Sequence, residues 1–314
     1  MARAARRIRP LLRAMKLGNL SAYLQERFAP VNMGLFVVLF GTVRGVAGVA
    51  GGGQFRPGGW ALAALGALAT VSFFFRLRVF DEEKDFALDA LYHPQRVLQT
   101  GRVTLPQLRT LAWAGAALEA GWSAAQSFNT LLLWVVALAY SLLMRAEFGV
   151  GRWLRARLVL YALSHMLIMP LVIWWIFSAY QPAVFGGKYL PLLWLLSLLG
   201  GFSFELARKL HAPAAERVGV DSYSQALGYG PALSLTVVVL LAGGAVQALL
   251  LHGLHARWAT YAVLWLLLAS GLALYSTAAR RPREARLRQA EKVVSLVMLT
   301  SYLAVLAEVY GLGK

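Results

Sequence analysis

Five acidic residues, Asp81, Glu82, Glu83, Asp85 and Asp89, fall within nine positions of a 314-residue chain that has only fourteen acids. They follow directly on the apolar run Trp60–Phe75 and the segment Arg76–Phe80. If one helix continues through them at about 100° per residue, Asp85 lies roughly 40°, Asp89 roughly 80° and Glu82 roughly 100° from Asp81. Glu83 then points away. Four carboxylates on one face repel one another, so such a helix needs cations among them. Spacing alone supports two readings. An all-oxygen ligand set suits magnesium, which binds through a few carboxylates together with water and phosphate oxygens. The alternative is a solvated acidic helix end paired with nearby arginines.

Hydrophobic residues make up 59% of the chain and the mean hydropathy is +0.60, with charges clustered between long apolar runs. That is the pattern of an all-α, polytopic membrane protein and excludes a soluble domain. The net charge of +17 does not point to nucleic acid, because the basic residues sit between hydrophobic spans rather than on one face of a soluble fold. With no cysteine there is no disulfide framework or thiolate metal site. Residues 1–30, with Arg3, Arg6, Arg7, Arg9, Arg13 and Lys16 among scattered leucines, read as a basic cytoplasmic segment forming an interfacial amphipathic helix, with a disordered tail as the alternative. Residues 31–314 form the membrane domain.

Nine apolar stretches mark that domain: Gly34–Ala50, Trp60–Phe75, Leu111–Ala125, Phe128–Met144, Leu158–Ala179, Leu190–Phe204, Pro231–Leu251, Trp258–Ser276 and Val293–Gly311. Under strict alternation, twenty-six Lys and Arg fall on one side and four on the other. Basic residues resist translocation, so the crowded side is cytoplasmic, the N-terminus with it, and the C-terminus is outside. The elaborate loops after the second and sixth spans both lie on the cytoplasmic side, and function is expected there.

The acidic stretch runs on into Leu91-Tyr92-His93-Pro94-Gln95-Arg96-Val97-Leu98-Gln99-Thr100-Gly101-Arg102-Val103-Thr104. Together the two resemble the UbiA superfamily of intramembrane prenyltransferases, whose first motif is N-D-x-x-D-x-x-x-D followed by a segment like R-P-L-P-S-G-R-I-S. Asp81 stands at the Asn position, Glu82 at the first Asp, and Asp85, Asp89, Arg96, Gly101 and Arg102 match, while Val97 replaces a proline. Tyr140-Ser141 with Arg145 looks like the polar end of that family's fourth helix, which places Tyr140 and Arg145 near a diphosphate. The family's second acidic motif, after the sixth helix, is altered: Lys209 and Pro213 stand where aspartates are expected, Gly219 and Ser222 can be matched, and Glu205, Glu216 and Asp221 remain as metal-ligand candidates. Arg208 and Lys209 are then candidates to neutralise diphosphate directly.

The resemblance implies a nine-helix bundle that moves a polyprenyl group from an allylic diphosphate to a lipophilic acceptor. Mg2+ would be held by Asp81, Glu82, Asp85 and Asp89, and Arg96, Arg102 or Lys209 would offset charge on the leaving pyrophosphate. The donor, the acceptor and the lipid bilayer are the expected partners, and nucleic acid is not. A terpene cyclase with the same ionisation step is the nearest alternative; a non-catalytic member of the family is another. A transporter is the alternative from a different class, in which Arg44, Glu119, His165 and Glu308 line a route. Arg44, Glu119 and Glu308 each lie near a span's outer end, and the preferred reading sends them to the interface. His165 reads as a hydrogen-bonded histidine rather than a base.

Overall fold

The computed structural model describes residues 16–52, 59–181, 187–217 and 221–311, and among these there is no strand. The helices in chain order are α1 (Leu17–Arg27), α2 (Pro30–Ala50), α3 (Gly59–Tyr92), α4 (Leu105–Gln126), α5 (Phe128–Arg145), α6 (Gly151–Arg155), α7 (Leu158–Met166), α8 (Ile168–Ser178), α9 (Tyr189–Arg208), α10 (Tyr223–Leu227), α11 (Tyr229–Gly253), α12 (Trp258–Arg280) and α13 (Glu284–Tyr310). Every expected apolar stretch coincides with helix. Among the described residues eight spans, counting α7 and α8 as one, are long and apolar enough to cross a membrane; α4, which coincides with Leu111–Ala125, is not among them. In hydrocarbon a helix satisfies its own backbone, so runs of this kind make the chain an integral, multi-pass membrane protein.

The break between α7 and α8 has a local cause. Pro170 brings no N–H and its ring crowds the carbonyl of Met166, so the ladder cannot run through. Helix α3 has the opposite character, with 34 unbroken residues. At 1.5 Å per residue it spans about 51 Å, more than the ~30 Å of a bilayer's hydrocarbon core. Its acid-bearing end therefore extends beyond the apolar layer.

The described residues divide into two compact units. The first comprises 16–40 and 59–134. Its core packs Tyr23 of α1 against Val79, Val97, Leu98, Val103, Leu108 and Ala112. Phe36 and Phe74 stack face to face with centroids 3.9 Å apart, and Phe28 meets Phe36 and Phe75. Gly66 lets α3 approach closely, since a Cβ there would lie 2.6 Å from the Trp122 ring and 2.7 Å from that of Phe40. Residues 1–15, with most of the expected basic interfacial segment, lie outside the described residues. The helix that follows them buries Tyr23 completely, so α1 is part of this unit's core.

The second unit comprises 41–52 and 135–311. Its core lies among α9, α11, α12 and α13, with Phe202, Leu206, Leu240, Leu268, Tyr275 and Val294 at the centre. The end of α2 packs on α13 through Gly45, where a Cβ would sit 2.5 Å from Val309. The Thr42 hydroxyl donates to the Tyr302 carbonyl at 3.2 Å.

Candidate active site

The acidic stretch is helical throughout and forms the last turns of α3. Its carboxylates divide into two pairs. Glu82 is 1% and Asp89 9% exposed, and both are held by guanidinium groups. Arg27 of α1 donates Nε to Glu82 Oε1 at 2.7 Å and Nη2 to Asp89 Oδ2 at 3.3 Å. Arg78, one turn before Glu82, donates to the same Oε1 at 2.9 Å, and Arg96 pairs with the same Oδ2. Asp81, by contrast, is exposed and Asp85 half-exposed. The cations that four clustered carboxylates require are thus supplied by the chain, as direct guanidinium pairs at Glu82 and Asp89 and as nearby positive charge from Arg78 and Lys84 at Asp81.

Around this cluster α1 and the segment 93–104 are tied together. The Val97 amide donates to Glu26 at 3.1 Å, and Asn19 donates to the Arg102 carbonyl at 2.9 Å. Gly101 has φ of +74°, a left-handed conformation that closes the turn begun when the Thr100 amide bonds the Arg96 carbonyl. This accounts for the glycine at that position. Thr104 and Gln107 form a capping box that starts α4. Beneath the cluster, burial and then the neighbouring Glu82 carboxylate push the Tyr23 phenol above its ordinary pKa, so it stays neutral. The side chain of Arg102 is exposed.

Glu83 turns to a different partner, Arg109 of α4, and stays out of the Arg27 network, as the helical spacing predicts. The Arg109 side chain is 49% and that of Glu83 10% exposed, so solvent screens the pair from the arginine side. We expect Glu83→Ala to shift unfolding free energy by less than about 1 kcal/mol. Denaturation in detergent checks this, and activity is expected to be unchanged.

The other candidate positions lie in the second unit. Tyr140 donates its hydroxyl to the Ser164 carbonyl at 2.6 Å, so that bond ties α5 to α7; Arg145 is exposed at the end of α5. In the last turn of α9, Glu205 accepts from Arg208 at 2.6 Å and from Lys209, just beyond the helix, at 2.9 Å. These two cations are therefore engaged locally. Glu216 accepts from the Ser222 hydroxyl at 3.0 and 2.9 Å, and Ser222 in turn caps α10 by accepting from the Gln225 amide. Asp221 is exposed, and Gly219 lies outside the described residues. The loop is anchored by α13: Glu284 accepts from the Ala212 amide and pairs with His211, both at 2.9 Å, and Arg288 donates to the Arg208 carbonyl at 3.1 Å.

Of the four intraspan residues, Glu119 overturns its expectation. It lies within α4 of the first unit, wholly buried, with Arg76 Nη1 at 2.7 and 2.6 Å, the Ser72 hydroxyl at 2.8 Å and Trp134 Nε1 at 2.9 Å. An end-of-span glutamate was expected to reach the interface, but Arg76, counted among loop cations in the sequence, is itself buried one helix away and keeps it inside. In the second unit Arg44 donates to the Tyr310 hydroxyl at 2.9 Å, Glu308 pairs with Arg257 at 3.5 Å, and His165 Nδ1 meets the Tyr161 carbonyl at 2.9 Å. Each of those three has a different partner in these contacts.

Among the described residues no three His, Asp or Glu side chains converge as a metal-binding group. The donor set nonetheless fits magnesium bound together with phosphate. Asp81 and Asp85 stand one turn apart, and the guanidinium bonds use a single oxygen of Glu82 and a single oxygen of Asp89. Arg27, Arg78 and Glu26 escaped sequence reasoning. Only Arg78 carried a signal, its i,i+4 spacing to Glu82; Arg27 is 55 residues from its partner.

Comparison of the fold with solved structures decides the architecture. A UbiA homologue from Aeropyrum pernix K1 superposes with a TM-score of 0.61, covering 86% of this chain and 96% of its own at 17% identity. The chain has the UbiA fold. A digeranylgeranylglyceryl phosphate synthase gives a TM-score of 0.66 at 14% identity, covering 94% of this chain and 100% of that one. A UbiA homologue from Archaeoglobus fulgidus, solved with DMAPP and Mg2+, gives 0.55 at 15% identity, covering 90% and 98%. No protein-family model and no curated protein sequence matches the chain.

Proposed function

We propose that this UbiA-fold chain is an intramembrane prenyltransferase, moving a polyprenyl group from an allylic diphosphate to a lipophilic acceptor with release of pyrophosphate. The observation that carries the reading is the carboxylate and guanidinium cluster at the end of α3, in a fold shared with a homologue that binds DMAPP and Mg2+. Asp81 and Asp85, with the unused oxygens of Glu82 and Asp89, would hold Mg2+, which when bound neutralises the diphosphate leaving group.

The protein's own groups do the rest. Arg27, Arg78 and Arg96 keep Glu82 and Asp89 fixed in orientation, and with Arg102 place positive charge where the diphosphate binds. The C–O bond of the donor breaks with its electron pair leaving on pyrophosphate oxygen. The allylic cation is shielded from water by apolar helices until the acceptor's nucleophile forms the new bond and loses its proton. In the second unit Glu205 and Arg208 in the last turn of α9, Lys209, Glu216 and Asp221 are separate candidates for diphosphate or metal contacts, and Arg208 and Lys209 would first have to leave Glu205. The site end of α3 would face the cytoplasm, on the side that carries most of the basic residues even with the buried Arg76 left out of the count.

The test is pyrophosphate release by detergent-purified protein, across allylic diphosphates of increasing chain length, with and without Mg2+ and with a total membrane lipid extract as the acceptor source. Magnesium-dependent release that yields a prenylated lipid is the expected result. Release with a cyclic hydrocarbon and no prenylated lipid would make the protein a cyclase. No release from any donor would overturn the reading.

A further inference from the structure

The segment between α5 and α7, in the second unit, carries an exposed patch of Val150, Arg152, Trp153 and Arg157 that the proposed reaction does not use. Helix α5 has 18 residues and so spans about 27 Å, close to the ~30 Å of a hydrocarbon core. It and the α7–α8 span are both apolar enough to cross a membrane, so residues 146–157 between them lie at headgroup level. From Arg145 to Arg157 the chain has four arginines and one glutamate.

The backbone of this segment is firmly held. Glu147, Phe148 and Gly149 follow one another at φ of +47°, +55° and +71°, and non-glycine residues stay in that region only where their surroundings fix them. Phe148 packs edge-on against the rings of Tyr140 and His165, with centroids 5.4 and 5.8 Å away. Glu147 is buried, and its Oε2 accepts from Arg155 Nε at 2.9 Å and Nη2 at 2.6 Å. Gly151 makes room for that carboxylate, since a Cβ there would lie 2.1 Å from the same oxygen. Leu154, 3% exposed, pins α6 to the protein.

On this fixed turn Trp153 is 52% and Val150 48% exposed. The Arg157 guanidinium lies over the Trp153 ring, 4.2 Å from its centroid, and donates Nη1 to the Trp153 carbonyl at 3.0 Å. Both contacts hold the guanidinium beside the indole and leave its other donors open to a ligand from outside. Arg155 pairs with Glu147, whereas Arg152 and Arg157, both exposed, meet no carboxylate among the described residues.

A guanidinium with open donors is matched by a phosphate, which it can hold through parallel bonds. A soluble phosphate would leave Trp153 and Val150 against water. A lipid brings an acyl boundary to them with its phosphate alongside. In a zwitterionic lipid the ammonium attached to that phosphate would come up against Arg152 and Arg157, so a net-anionic headgroup is favoured. We propose that the Trp153–Arg157 pair binds the phosphate of an anionic phospholipid, with Arg152 adding positive charge and Trp153 seated beside the lipid's acyl chains.

Full-length protein is placed in phosphatidylcholine nanodiscs containing a small fraction of phosphatidylglycerol or of phosphatidylcholine that bears the same diazirine on its acyl chain. Labelling of residues 146–157 is read by peptide mass spectrometry. The anionic probe should label that segment about tenfold more than the zwitterionic one, as two exposed cations at the surface imply. Arg157→Gln should remove most of this excess at an unchanged melting temperature, while Arg281→Gln, at another exposed cation in the α12–α13 turn, should remove none. Equal labelling by the two probes in the wild-type protein, a comparison that needs no variant, overturns the proposal and leaves Trp153 as an interfacial anchor only. An excess that survives Arg157→Gln overturns it as well. So does one that Arg281→Gln lowers equally, because the preference then belongs to the charge of the whole face. Inorganic phosphate added at constant ionic strength should not reduce the anionic labelling; a reduction would make the ligand a soluble phosphate and overturn the lipid assignment.

Discussion

Asp85→Ala is expected to lower magnesium-dependent pyrophosphate release by at least about 100-fold while leaving the melting temperature unchanged. Asp89→Ala should lose comparable activity and stability as well. The difference follows from the division of the acidic stretch. Asp85 is half-exposed and stands outside the Arg27, Arg78 and Arg96 network, so removing it leaves no cation stranded. Asp89 is 9% exposed and answers two guanidinium groups through one oxygen. Its loss leaves Arg27 and Arg96 short of an acceptor, at a cost of about 1–3 kcal/mol, and loosens α1 from the end of α3. Paired measurements of turnover and of detergent unfolding separate the two roles. Equal stability loss in both variants would mean that all four carboxylates are structural, and the magnesium assignment would fall with it.

Glu119→Ala is expected to be the most damaging single substitution for folding, by about 3–5 kcal/mol. Both partners of the Arg76–Glu119 pair are fully buried, and the carboxylate also accepts from Ser72 and Trp134. Truncating it leaves a desolvated guanidinium whose Nε and Nη2 already lack partners among the described residues. Its face packs on the Phe73 ring, with the guanidinium carbon 4.6 Å from the centroid; that contact offsets only part of the desolvation. Arg76→Met combined with Glu119→Gln should recover most of the loss, because no charge is then left buried and the amide oxygen still accepts from Trp134. Unfolding of the two singles and the double in one detergent measures this. A double no more stable than Glu119→Ala would show that the pair itself, and not the stranded charge, holds the unit together.

Much of the molecule was legible in its chain. Long apolar runs bounded by charge can satisfy their backbone only as membrane helices, so the all-α class and the positions of eight of the nine expected spans follow from composition. The spacing of Asp81, Glu82, Asp85 and Asp89 placed four carboxylates on one helix and set Glu83 apart, and the resemblance carried by that stretch agrees with the UbiA fold. The α7–α8 break at Pro170, inside a stretch the sequence reads as continuous, and the positive φ of Gly101 are explained by local rules once the structure is seen.

Tertiary structure alone decided which carboxylates are free. Arg27 reaches Glu82 and Asp89 across 55 and 62 residues, and Arg76 reaches Glu119 across 43, so no periodicity in the sequence records those pairs. A charge beside an apolar run looks interfacial until its partner is known. Burial is a property of the packed unit, and a buried carboxylate is tolerated only where distant segments bring it a cation. The state of Gln247 has the same origin: a glutamine in a span signals a polar contact, but only the packing of the helices shows that its Nε2 donates to the Ser301 carbonyl while its Oε1 has no hydrogen-bond partner among the described residues.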